Sequence, residues 1–227
     1  MVASIEQKVV RIGDLAPDCI AQTTQGEIGF HKYVEGKWAC LFSHPKDFTP
    51  VCTTELGRVA KLQDEFAKRG VQVVALSCDD VDSHKKWIKD IESSQNCTVN
   101  YPIIADADRK IAALWGMLDQ TNRDPDGAPL TVRGVFIIGP DKLVKAMIAY
   151  PAATGRNFDE ILRLIDSCQL TSRAKVATPA NWKPGDNCIV SPSLSDDVAK
   201  KTLGDFETKL PYLRESALAA GDVFYHP

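Results

Sequence analysis

Five apolar residues in a row, Trp38-Ala39-Cys40-Leu41-Phe42, with Thr49-Pro50-Val51-Cys52 shortly after them, constrain this chain more than any other stretch. A short continuous apolar run suits a buried central strand. Thr is a favoured N-cap and Pro a favoured first helical residue, so the spacing predicts a helix with Thr49 as cap, Pro50 at its first position and Cys52 at its third. The strand then leads, through one loop, to a thiol in the first turn of a helix. The unpaired N–H groups and the positive end of the helix dipole there favour thiolate over thiol, and the thiolate is the nucleophile.

The pattern on either side predicts an α/β domain. Residues 9–33 form a turn-rich lead-in in which Gly26–Phe30 alternates like a hairpin. From Val51 to Arg69 the apolar positions 52, 56, 59 and 66 share one face of a helix that Gly70 ends, so Cys52 points toward the sheet. Val71–Leu76 is the next strand, and Ser83–Ser93 the next helix, with Ser83 as its cap and Trp87 as core packing near the pocket. A strand–helix–strand unit implies parallel strands joined by a right-handed crossover. A strand at Ile103–Ile104 and a short helix around Arg109–Trp115 follow, then a loop over Thr121–Pro129. Val135–Ile138 and Leu143–Ala149 flank Gly139-Pro140-Asp141-Lys142 as a second hairpin, and Gly155–Leu170 is the last long helix. Beyond residue 171 prolines punctuate short elements and only Asp196–Lys201 reads as helical. We therefore expect a domain over 1–170 and an appended arm or small domain over 171–227.

Composition excludes several function classes. With 44% hydrophobic and 25% charged residues the 227-residue chain is an ordinary globular protein. A net charge of −3 without a basic run argues against nucleic-acid binding. No apolar run approaches a membrane span, and Met1–Glu6 carries no leader pattern, so a soluble cytoplasmic protein without stable membrane insertion is expected. The seven cysteines (19, 40, 52, 78, 97, 168 and 188) are odd in number and none forms a C-x-x-C, which argues against a disulfide framework, a zinc ribbon or a dithiol oxidoreductase. The four histidines are dispersed, so neither metal nor cofactor is expected.

Pro45, Thr49 and Cys52 match a Pro-x-x-x-Thr-x-x-Cys signature, and Ser43-His44-Pro45 with Thr53-Thr54-Glu55-Leu56 resembles the one-cysteine class of the peroxiredoxins. Tyr101–Asp106, Arg133–Phe136, Tyr150-Pro151, Gly155–Glu160 and Asn181–Gly185 are similar to segments of the same family in the same order. The resemblance implies a thioredoxin-like fold with a central mixed sheet flanked by helices, and a homodimer. It also implies a thiol-dependent peroxidase that reduces hydrogen peroxide and organic hydroperoxides, with phospholipid hydroperoxides as a candidate substrate. In that chemistry Cys52 attacks the terminal peroxide oxygen and becomes a sulfenic acid, later reduced by an external thiol from the glutathione, glutaredoxin or thioredoxin system. Arg133 fits by topology as well. Its strand should run antiparallel beside 38–42, which brings Arg133 to the end that delivers Cys52, where it can stabilise the transition state. Thr49 is then both cap and peroxide contact, Pro45 shields the sulfur from water, and His44 hydrogen-bonds a reacting group. Glu55 and Arg156 resemble the pair that steadies the catalytic arginine.

Two departures matter. Ala177 stands where two-cysteine peroxiredoxins carry a resolving cysteine, leaving Cys168 and Cys188 as the only nearby internal alternatives. His31 and Asp141 match two residues assigned to a phospholipase activity in the one-cysteine class, but Lys37 replaces the serine, and without that hydroxyl there is no acyl nucleophile. A rival reading uses the same oxidation differently: a peroxide sensor or redox-switched chaperone acting through oxidised Cys52. Multiple turnover with a reductant separates the two.

Overall fold

The computed structural model describes residues 9–217, so the leader-free reading of Met1–Glu6 lies outside the described residues. In chain order the first elements are β1 (Ile20–Thr23), β2 (Gly26–Gly29), α1 (Phe30–Tyr33), β3 (Trp38–Ser43), α2 (Pro50–Lys61), α3 (Gln63–Lys68) and β4 (Val71–Ser77). They continue with α4 (Val81–Gln95), β5 (Ile103–Ala105), α5 (Lys110–Leu114), β6 (Leu118–Arg123), β7 (Pro129–Thr131), β8 (Arg133–Ile138) and β9 (Val144–Tyr150). The described residues divide into two compact units, with the boundary between Phe158 and Asp159.

The first unit is built on a seven-stranded sheet in the order β2-β1-β5-β4-β3-β8-β9. β3 pairs parallel with β4 and β4 with β5, as the strand–helix–strand pattern predicts, while β8 runs antiparallel to β3 and to β9. Every residue of β3 is buried, which explains its unbroken apolar run: with partners on both edges and cover on both faces no position meets water. The pairing of Phe42 with Val135 sets the start of β8 beside the end of β3, where the loop to Thr49 begins. The fold is thioredoxin-like, with a mixed sheet and flanking helices.

Several boundaries differ from expectation for local reasons. The helix expected over 51–69 breaks at Leu62, whose N–H is shared between the carbonyls of Arg58 and Val59, tightening the chain into a turn before α3. The cap of α4 is Asp80, whose carboxylate accepts the N–H of Ser83, so the expected cap lies inside the first turn. The segment read as loop from Thr121 is partly strand. Leu118 and Leu130 bury on the β6–β7 pair, and only Asp124–Ala128 turns, with Arg109 bonded to Asp124 (2.7 Å) and to the Pro129 carbonyl (2.9 Å).

Beyond the first residue of α6 (Phe158–Arg173), the second unit holds the rest of that helix, β10 (Val176–Ala177), β11 (Cys188–Val190), α7 (Asp196–Leu203), β12 (Phe206–Leu210) and β13 (Leu213–Ser216). Its strands form a sheet in the order β10-β11-β13-β12, which the sequence reading missed because they are short and β12 is mostly exposed. Leu170, Val176, Trp182 and Cys188 form its small core. Helix α6 starts three residues later than the expected Gly155, because the backbone N–H of Arg156 is bonded to Glu55 instead of to a helix. No helix among the described residues is long and apolar enough to cross a membrane.

Candidate active site

Helix α2 begins as its sequence dictates, with Thr49 extended (φ −120°, ψ 146°) at the N-cap and Pro50 at the first helical position. The expected capping bond is not made. The Thr49 hydroxyl donates backward to the Lys46 carbonyl at 2.8 Å, and the Thr49 carbonyl accepts the N–H and hydroxyl of Thr53. Thr49 thus shapes the loop as well as the helix start. Phe48 just before it has φ 55°, a left-handed conformation that a bulky residue holds only when its surroundings enforce it.

Cys52 is fully buried on the inner face of α2 with Leu56 and Val59. Arg133, the first residue of β8, donates from Nη1 to the Cys52 sulfur at 3.2 Å. The same nitrogen donates to Glu55 Oε2 at 2.7 Å, and Nε donates to the Ala152 carbonyl at 2.9 Å. Glu55, one turn along from the cysteine, also accepts three bonds from Arg156, from its backbone N–H (2.8 Å), Nε (3.0 Å) and Nη2 (2.6 Å). Arg156 in turn donates to the carbonyls of Ser43 and Gly134, and its guanidinium lies 4.9 Å from the Phe42 ring centroid. Two strand ends and a helix are thereby tied to one carboxylate. Ser43 completes the join, donating to the Val132 carbonyl and accepting the Gly134 N–H.

Burial opposes the charge on Glu55, but Arg156 and then Arg133 outweigh it and hold its carboxyl below the usual carboxylate range. Because the folded value is depressed, its contribution to stability is complete above the unfolded carboxylate range and is lost as pH falls through the folded value. Glu55→Gln should therefore leave two buried guanidiniums without their counter-charge and destabilise the fold by about 3–5 kcal/mol. The check is the urea midpoint at neutral pH; an unshifted midpoint would rule out a structural role for the carboxylate.

Burial pushes the thiols of Cys19, Cys40 and Cys78 up to about 12, and also raises those of Cys97 and Cys188. None of the seven cysteines is in a disulfide.

Pro45 and His44 are buried in the loop after β3, with the His44 carbonyl accepting from Thr131 Oγ1 at 2.7 Å. The His44 ring lies 5.1 Å from that of Trp87, and the Trp87 indole donates to Thr53 Oγ1 at 3.1 Å, so Trp87 is a hydrogen-bonding wall as well as core. Sequence reasoning missed Asp47, which bonds both His44 and His84. A signal for it existed: His84, Trp87 and Ile91 recur at helical spacing on the buried face of α4, and a histidine on such a stripe needs a partner. His31 bonds the Ala16 carbonyl, while Asp141 takes Lys145.

Comparison with known proteins fits this geometry. Residues 12–147 match the AhpC/TSA family and residues 167–205 the C-terminal domain of 1-Cys peroxiredoxin. This chain belongs to the peroxiredoxin family. Peroxiredoxin-6 of Gallus gallus is 55% identical over 213 residues, covering 89% of this chain and 95% of the relative, and that of Homo sapiens is 52% identical over 214 residues with the same coverage. A mutant of the peroxiredoxin 6 of Arenicola marina superposes with a TM-score of 0.90 at 50% identity, covering 93% of this chain and 99% of that one. A yeast mitochondrial 1-Cys peroxiredoxin, described with a thiol resolving mechanism via glutathione/thioredoxin systems, gives 0.87 at 46% identity, covering 92% and 100%. Membership makes the chain a thiol-dependent peroxidase of the one-cysteine, peroxiredoxin 6-type class.

Proposed function

We propose that Cys52 is the peroxidatic nucleophile and that Arg133 is the donor that activates it and stabilises the charge moving onto the leaving oxygen. The observation that carries this reading is the 3.2 Å bond from Arg133 to a sulfur in the first turn of α2. Glu55 and Arg156 hold Arg133 in place. Thr49 contacts the peroxide once its hydroxyl turns from the Lys46 carbonyl, Pro45 keeps water from the sulfur, and His44 accepts a hydrogen bond from the oxidised group. Substrates are hydrogen peroxide and organic hydroperoxides, phospholipid hydroperoxides among the candidates.

The reductant is an external thiol, a reading that the glutathione/thioredoxin-resolved yeast relative supports. Steady-state peroxide consumption, run in parallel with glutathione, glutaredoxin and thioredoxin systems, tests catalysis and donor together; turnover with none of the three would reject the reading. We place the protein in the cytoplasm, which suits seven cysteines of which none is in a disulfide. A homodimer is proposed through β9, the strand at one edge of the seven-stranded sheet. The division into a peroxidase domain over 1–170 and a C-terminal part over 171–227 is supported by the second family match, which begins at 167.

Ala177 fixes the fate of the oxidised protein on this reading. With no sulfur in the usual resolving position, the sulfenic acid waits for an outside thiol, and further peroxide carries it to sulfinic and sulfonic acid. Peroxide without reductant should give a Cys52-localised gain of two or three oxygens in peptide mass analysis and no intersubunit disulfide on a non-reducing gel. A quantitative Cys52–Cys168 or Cys52–Cys188 disulfide would reject one-cysteine resolution.

A further inference from the structure

Asp47 lies between two buried histidines. His44 Nε2 is 2.9 Å from Asp47 Oδ1 and His84 Nδ1 is 2.7 Å from Oδ2, which also accepts the Ser83 hydroxyl at 2.8 Å. The far nitrogen of His84 faces the Ile104 carbonyl at 3.2 Å. The three side chains could in principle surround a cation. Their separations argue for protons instead, since ligands of a tetrahedral metal with bonds of about 2.0–2.1 Å stand about 3.3 Å apart.

Counting donors and acceptors then assigns the protons. The Ile104 carbonyl can only accept, so His84 donates from Nε2. Although burial opposes it, the bonds from His44 and His84 hold the Asp47 carboxyl well below the ordinary carboxylate range. A carboxylate only accepts, so His84 also donates from Nδ1, and His44 donates from Nε2. Burial, set against its bond to Asp47, pushes His44 below the ordinary histidine range, which favours the neutral ring. Its Nδ1 is therefore a bare lone pair, and that atom is buried without any hydrogen-bond partner. A buried acceptor left open is costly, and such exceptions call for an explanation.

We infer that Asp47 and His84 are positioning residues of the peroxidase reaction, fixing His44 as its neutral Nε2–H tautomer so that Nδ1 stays open to accept the O–H that Cys52 acquires on oxidation. The inference rests on the reading of Cys52 as the nucleophile. In that step the thiolate sulfur bonds to the terminal oxygen of HO–OR, the O–O bond breaks, and RO⁻ leaves to take up a proton. The hydroxyl hydrogen stays on the new S–OH, where an acceptor is needed that the resting thiolate did not use. The opposite tautomer would turn the Nε2 lone pair onto the Asp47 carboxylate, which is why the ring cannot exchange roles freely. His84 matters because it shares the carboxylate: without its donated protons, Asp47 would draw a second proton onto His44 and convert Nδ1 into a donor. The Trp87 ring lies tilted against that of His44, 5.1 Å between centroids, and its indole donates to Thr53, next to Cys52, so it links the two parts of the site.

The test is a nitrogen-15 imidazole spectrum of the reduced protein with His44 assigned, alongside steady-state turnover. Wild type should show one protonated and one bare nitrogen on His44, with the proton on Nε2. In His84→Leu both His44 nitrogens should become protonated at neutral pH and turnover should fall about 10-fold, the scale of one hydrogen bond to a charged group. His84→Gln, whose amide can still donate to Asp47, should recover most of the loss. A wild-type His44 protonated on Nδ1 would overturn the inference even if no variant folds. So would a folded His84→Leu with wild-type His44 signals and turnover. The spectrum does not depend on which cysteine reacts, so activity surviving Cys52→Ser would reject the nucleophile assignment while leaving the tautomer result standing.

Discussion

Cys52→Ser is expected to abolish peroxide consumption, while each of the other six single Cys→Ser variants keeps most of it. The contrast follows from where the sulfurs sit. Cys52 is at the third position of α2 with the Arg133 guanidinium on it, whereas Cys40 lies in the middle of β3 with every neighbour buried. Burial raises the Cys19, Cys40 and Cys78 thiols to about 12, which leaves almost no thiolate at neutral pH. A serine hydroxyl at position 52 fills the same space but is a far weaker nucleophile, so the variant should fold normally and fail chemically. The measurement is peroxide consumption under single-turnover conditions with each purified variant. A comparable loss in any other variant would move the nucleophile or reveal an internal resolving thiol.

The site was legible where its chemistry depends on local sequence and partly hidden where it depends on closure of the chain. Thr49, Pro50 and Cys52 are close in sequence, so helix-start rules placed the thiol correctly without any tertiary knowledge. Arg133 could be placed because the Val135–Ile138 hairpin and the apolar 38–42 run predict an antiparallel neighbour, and the Phe42–Val135 pairing is the result. Asp47 was passed over because its two partners lie on different elements, and a loop aspartate looks solvated until α4 packs on it. The β6–β7 pair was missed for a related reason. Asn122, Asp124, Pro125 and Gly127 are all turn formers, and only the burial of Leu118 and Leu130 against the core overrides them. The helix boundary at Phe158 was likewise set from a distance, by Glu55 taking the Arg156 N–H.

Arg133→Met should leave the protein folded and slow peroxide attack by about 10²–10³, the usual cost of removing one preorganised transition-state donor. Folding should survive because Glu55 keeps its three bonds from Arg156, so no carboxylate is stranded in the interior. Methionine also fills much of the arginine stem's volume beside β3 and β9. The chemical loss is specific: Nη1 is shared between Cys52 and Glu55, so the carboxylate aims the nitrogen that reaches the sulfur, and the Ala152 carbonyl fixes the other edge of the guanidinium. Lysine should not rescue the rate, since a single ammonium cannot hold Glu55, the Ala152 carbonyl and the sulfur at once with the planar fork that Arg133 uses. Stopped-flow measurement of the second-order rate with hydrogen peroxide, alongside a urea unfolding curve, separates the two effects. Wild-type kinetics in a folded Arg133→Met would remove Arg133 from the reaction, and with it the reason that Glu55 and Arg156 are joined to this end of the sheet.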